Sequence, residues 1–108
     1  MTAATVDPVN HTASTLLARA FGPVPAGEEW RVRVRISNNG GGNDAFDLRI
    51  RKADGSNACY RARGHLVDLG GAPYDVETDL LLPAGYELWD RSGAGYVDAS
   101  YTAAKRSV

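Results

Sequence analysis

The sequence predicts an all-β chain folded as a single antiparallel β-sandwich of about eight strands, jelly-roll or immunoglobulin-like. Three observations carry that expectation. First, Trp30–Ser37 reads W-R-V-R-V-R-I-S and Ala45–Lys52 reads A-F-D-L-R-I-R-K, both alternating apolar with polar. Side chains on a strand point to opposite faces with period two, so each stretch has one dry and one wet face. Second, turn residues punctuate the rest of the chain at short, regular intervals. Third, no segment requires helical spacing.

The elements follow in order. Residues 1–13 lack clean periodicity and read as an N-terminal arm or tail, ordered only if something holds it, ahead of a sandwich domain over 14–108. Ser14–Phe21 is a first strand, stopped by Gly22-Pro23, and Pro25-Ala26-Gly27 turns into the first alternating stretch. Asn38–Asp44, with Gly40, Gly41 and Gly42, reads as a hairpin loop. That hairpin would set Ile36, Val34 and Val32 opposite Phe46, Leu48 and Ile50 on the dry face. Its wet face would pair Arg35 with Asp47, but also Arg33 with Arg49 and Arg31 with Arg51. Like charges directly opposite destabilise a sheet, so this patch needs acidic company from the chain or from a partner.

Beyond Lys52, Ala53–Asn57 centres on Asp54-Gly55 and returns into a short strand, Ala58–Arg63, broken by Gly64. His65–Leu69 is a further extended piece. Tyr74–Leu82 alternates, with Asp75, Glu77 and Asp79 on one side. Pro83-Ala84-Gly85 precedes a strand over Tyr86–Arg91, and Tyr96–Ala104 closes the domain. One echo stands out: Val24-Pro-Ala-Gly-Glu-Glu-Trp30 resembles Leu82-Pro-Ala-Gly-Tyr-Glu-Leu-Trp89. Its physical reading is two equivalent corners, where the chain crosses between sheets.

With 108 residues the chain can bury one core of its own. Its 12 Lys and Arg against 13 Asp and Glu give no global pull toward nucleic acid or an anionic membrane. The single cysteine, Cys59, excludes an internal disulfide and is expected as a small apolar strand residue. The run Leu80–Ala84 is far too short to span a membrane, and the N-terminus lacks the charged and apolar regions of a signal peptide. Neither His11 nor His65 has metal-ligand spacing, and no nucleophile elbow, phosphate loop or dinucleotide fingerprint occurs. No catalytic site, cofactor or metal is expected.

Two polar constellations remain. The arginine ladder of Arg31, Arg33, Arg35, Arg49 and Arg51 reads as a solvated sheet face balanced by Asp75, Glu77 and Asp79 on a neighbouring strand, or as a contact between subunits. Nucleic acid ranks third, since Asp47 interrupts the ladder. Tyr74, Tyr86 and Tyr96 sit at turn–strand junctions; with Trp89 they either close the ends of the sandwich or stack sugars.

Thr15–Asn39, T-L-L-A-R-A-F-G-P-V-P-A-G-E-E-W-R-V-R-V-R-I-S-N-N, resembles the start of small β-sandwich virion proteins of tailed phages and phage-like gene transfer agents. Leu16-Leu17, Val24-Pro25-Ala26-Gly27, Ile36-Ser37-Asn38 and Leu82-Pro83-Ala84-Gly85 fill the places of that layout. The resemblance implies a non-enzymatic structural or adaptor subunit: a head decoration, spike base, neck or tail component. It would self-associate as a trimer or pentamer and dock on capsid or fibre proteins after assembly in the host cytoplasm. The alternative is a carbohydrate-binding module using Tyr74, Tyr86, Trp89 and Tyr96, with host-surface glycans as its ligand.

Overall fold

A computed structural model describes residues 4–108. They form nine strands: β1 (Ala4–Thr5), β2 (Val9–Thr12), β3 (Ala18–Phe21), β4 (Glu28–Asn38), β5 (Asp44–Lys52), β6 (Cys59–Val67), β7 (Tyr74–Leu82), β8 (Tyr86–Ser92) and β9 (Val97–Ser107). No helix occurs among the described residues. All strand pairs are antiparallel.

The strands divide into two sheets. In the first, β1 and β2 lie along β9, followed by β4 and then β7; in the second the order is β3-β8-β5-β6. Because β1 pairs at Lys105 and β2 at Asp98–Tyr101, the two act as one interrupted edge strand. From β2 onward only the β5–β6 connection stays within a sheet; every other one crosses. This is jelly-roll order, which decides between the two expected topologies.

The period-two reading of the faces is right. Val32, Val34 and Ile36 from β4 are buried, as are Phe46 and Leu48 from β5. They join Leu82, Leu88, Val97 and Tyr101 in one core. Each such aliphatic side chain contributes about 1.5–3 kcal/mol when removed from water. Phe21 packs between Trp30, at 5.2 Å, and Tyr101, at 5.5 Å between ring centroids.

The β4–β5 hairpin is wrong. β4 pairs with β9 and β7, and β5 with β8 and β6, in opposite sheets. Thus Val32, Val34 and Ile36 face the other sheet across the core instead of neighbouring β5 within one sheet. The loop is a crossover stapled by buried Asn38, whose Nδ2 donates to Gly42 O at 2.8 Å and to Val67 O at 3.0 Å. Gly40 N returns a bond to Asn38 Oδ1 at 3.0 Å.

Other boundaries also shift. Residues 4–13 are no free tail: β1 and β2 hydrogen-bond to β9, and Ala13 is buried. Residues 1–3 of the expected arm lie outside the described residues. The first strand of the domain covers Ala18–Phe21 only. Gly64 does not end its strand; at φ +62° it lets β6 run on irregularly to Val67. Cys59 begins this edge strand and is exposed, because β6 turns few side chains to the core.

The two Pro-Ala-Gly corners are equivalent, as their echo implies. One carries the chain from β3 to β4 and the other from β7 to β8, each changing sheet. They lie side by side, with Gly85 N on Val24 O at 2.8 Å and Val24 N on Tyr86 O at 2.9 Å. In each, a tryptophan Nε1 donates to the glutamate two residues earlier: Trp30 to Glu28 at 3.1 Å and Trp89 to Glu87 at 2.8 Å. The second corner has one more residue between its glycine and its tryptophan. With a two-residue period, that difference turns Trp30 into the core and Trp89 outward.

The crossover loop offers a sharp contrast. A Cβ on Gly40 would sit 2.1 Å from Tyr96 Cγ, whereas one on Gly42 meets nothing within 4 Å. Gly40→Ala is expected to destabilise by about 1–3 kcal/mol through overpacking, while Gly42→Ala stays within about 0.5 kcal/mol. Urea unfolding of both variants measures the difference.

Candidate functional site

Because β4 buries its even-numbered apolar residues, Arg31, Arg33 and Arg35 project from the outer face of the first sheet. β7 lies alongside and supplies carboxylates. Arg31 Nη1 stands 2.9 Å from Asp79, and the Nε atoms of Arg33 and Arg35 each stand 3.1 Å from Asp75. Glu77 instead leans over the edge to Arg61 of β6, at 2.9 Å, and its hydrogen bond raises the Arg61 pKa. The acidic ladder is thus largely consumed inside the chain, by pairs exposed enough to contribute about 0–1 kcal/mol each.

Arg49 and Arg51 do not belong to that ladder. β5 sits in the other sheet, so they emerge on the opposite side of the sandwich. One cross-strand row there reads Arg19, Trp89, Arg49, Tyr60, on β3, β8, β5 and β6. Arg51 stands opposite Glu87, and Arg91 opposite Asp47. The Arg51 guanidinium lies over the Trp89 ring, 3.8 Å from its centroid. Those of Arg49 and Arg63 lie 5.5 and 4.9 Å from the Tyr60 centroid. Glu87 is buried beneath Arg19 and Arg51, at 3.7 and 3.6 Å. Asp47 accepts the Gly64 N–H at 2.6 Å and faces Arg91 at 3.8 Å. Between them a polar depression of about 310 Å³ is lined by Asp47, Tyr60, Arg63 and Arg91.

Sequence reasoning missed Arg19, Tyr60, Arg63, Glu87 and Arg91 as members of this face. The alternation of Tyr86–Ser92 already puts Glu87, Trp89 and Arg91 on one side. What it lacks is the neighbour, since nothing local says that β8 lies between β3 and β5.

The four aromatics expected as a platform are apart. Tyr74 starts β7, with its hydroxyl 2.7 Å from His65 Nε2. Tyr96 packs against Gly40 at the same end of the sandwich. Tyr86 starts β8 at the opposite end, where Asn57 Nδ2 donates to its hydroxyl at 3.1 Å. Trp89 lies mid-sheet under Arg51.

Two polar networks fix this frame. Inside the sandwich, Asp90 Oδ2 accepts the Tyr101 hydroxyl at 2.5 Å and meets His11 Nε2 at 2.6 Å. This clasp joins β8 of one sheet to β9 and β2 of the other. Burial, with Asp90 beside it, pushes the Tyr101 phenol well above its usual range. At the β8–β9 turn, Asp44 accepts the Ser92 hydroxyl and the N–H groups of Ala45, Ala94 and Tyr96. Burial pushes the Asp44 carboxyl up, but these bonds, Ser92 first, outweigh it and hold the carboxyl below its ordinary value. Hydrogen bonds from Thr12 and Asn39 likewise lower Asp98.

Among the described residues no three His, Cys, Asp or Glu side chains group as a metal site requires. Compared with family models, with curated proteins and with solved structures, the chain matches nothing.

Lowered folded-state carboxyls stabilise the fold above the ordinary value of 3.8 and lose that contribution as pH falls through the folded value. The urea midpoint is therefore expected to drop below about pH 4. Asp44→Asn turns an amide N–H toward donors; it should cost about 1–3 kcal/mol at neutral pH and shallow the acid limb. Tyr101→Phe removes one of Asp90's two partners and should cost about as much, read by the same unfolding curves.

Proposed function

We propose that the protein is a non-enzymatic structural subunit of a phage-like particle, an adaptor that self-associates and docks on neighbouring particle proteins. The observation carrying this reading is the jelly-roll order itself, with exposed apolar side chains along its open β6 and β7 edges as well as at Leu16 and Val108. Leu66 is 63% exposed, Leu69 48%, Leu81 43% and Tyr74 39%, all on edge strands β6 and β7 or the loop joining them. Jelly rolls recur in viral capsids and lectins. Edge strands present unpaired backbone groups, and apolar side chains beside them favour association with another chain.

The first-sheet arginines support self-association less than the sequence implies, because Asp75 and Asp79 already engage them. The β6–β7 side is the better contact. Joined head to tail to a different patch on the next copy, it closes into a ring when the rotation allows, which accommodates a trimer or pentamer. The carbohydrate alternative finds less support, since its four aromatics share no platform.

Size-exclusion chromatography with light scattering is expected to show a closed oligomer of the purified chain. Leu66→Asp combined with Leu69→Asp should give a monomer of unchanged melting temperature. A wild-type chain that stays monomeric at every concentration overturns self-association.

A further inference from the structure

The outer face of the β3-β8-β5-β6 sheet carries an unbalanced charge. Arg19, Arg49, Arg51, Arg63 and Arg91 share it with two carboxylates, Asp47 and Glu87, an excess of three positive charges. The chain has 12 basic and 13 acidic residues, so seven basic residues face eleven acidic ones everywhere else. The molecule is polarised, although its net charge is −1. Arg49 and Arg63 pair with no carboxylate among the described residues, and the buried Nε atoms of Arg49 and Arg51 have no hydrogen-bond partner.

We propose that this face binds a carboxylate-rich protein surface on a different chain, with an acidic side chain entering the depression between Arg63 and Arg91. The aromatic rings here are backing for the guanidinium groups: Arg51 covers Trp89, and Arg49 and Arg63 flank Tyr60. Backed guanidinium groups lose little freedom when they engage a carboxylate, and their planar fork suits it. Arg51 covers the Trp89 ring, which leaves Tyr60 as a lone exposed ring on this face and no paired stacking platform for sugars or bases. Asp47 and Glu87 interrupt the positive track that a continuous polyphosphate needs, whereas a protein surface of mixed charge can match an interrupted one.

A second copy of this chain fits poorly. Two such faces would oppose arginine with arginine, and the first sheet's Asp75 and Asp79 are already engaged by Arg31, Arg33 and Arg35. The inference stands independently of the particle reading, and oligomeric state is read by another experiment.

The probe is poly-L-glutamate, titrated into the wild-type chain at low salt by calorimetry, beside polygalacturonate and single-stranded oligothymidylate. Poly-L-glutamate is expected to bind most tightly, weakening as salt screens it. The triple variant Arg49→Gln, Arg63→Gln, Arg91→Gln should weaken binding roughly tenfold or more. The first-sheet triple Arg31→Gln, Arg33→Gln, Arg35→Gln should retain wild-type affinity. If the former melts early, Arg63→Gln alone is read instead, expected to lose about two- to fivefold. Absence of poly-L-glutamate binding, equal losses in both triples, or tighter binding of either comparison polymer overturns the proposal.

Discussion

The contact on which the fold depends is between the dry faces of the two sheets, where Val32, Val34 and Ile36 on β4 and Phe46 and Leu48 on β5 share one buried core. Each face alone would leave a whole strand length of aliphatic surface in water. Joined through opposite sheets, they leave their wet faces on opposite sides of the molecule. Arg31, Arg33 and Arg35 therefore never meet Arg49 and Arg51, and the like-charge clash of a hairpin disappears. That clash was the legible warning: a pairing that puts arginine opposite arginine twice is one the chain avoids.

Polar groups then fix what apolar burial leaves loose. Hydrophobic contact is non-directional, so two sheets can slide or rotate at little cost. Asp90 tied to Tyr101 and His11 links the sheets at one place in the interior. Asn38 of β4 does the same at the loop end through Val67 of β6, and Asp44 ties β5 to the β8–β9 turn, each meeting several backbone groups that would otherwise be buried without partners. The His11 contact also explains why the N-terminal segment is held, since its strand adds both backbone pairing to β9 and a side chain reaching the core.

The two outer faces differ in kind. On the first sheet, arginines and carboxylates alternate across neighbouring strands and largely satisfy each other. On the second, the carboxylates are fewer, with Glu87 buried, and Arg49, Arg51 and Arg63 lie by aromatic rings. A single extra residue at the second Pro-Ala-Gly corner contributes to this difference by turning Trp89 outward where Trp30 turns in.

The amino-acid order by itself determined the class of fold, the inward and outward face of the long strands, the paired corners and most turns, because these rest on period two and on local backbone chemistry. The shared face of Glu87, Trp89 and Arg91 is written in the same alternation, but the sequence reading did not draw it. Tertiary structure alone decided which strands are neighbours: that β4 and β5 part into different sheets, that β9 captures residues 4–12, and that Arg19, Trp89, Arg49 and Tyr60 form one row. The physical reason is that an alternating strand records only which side is dry. Whether that side meets its partner within one sheet or across the core leaves the same pattern in the sequence, and only long-range packing distinguishes the two.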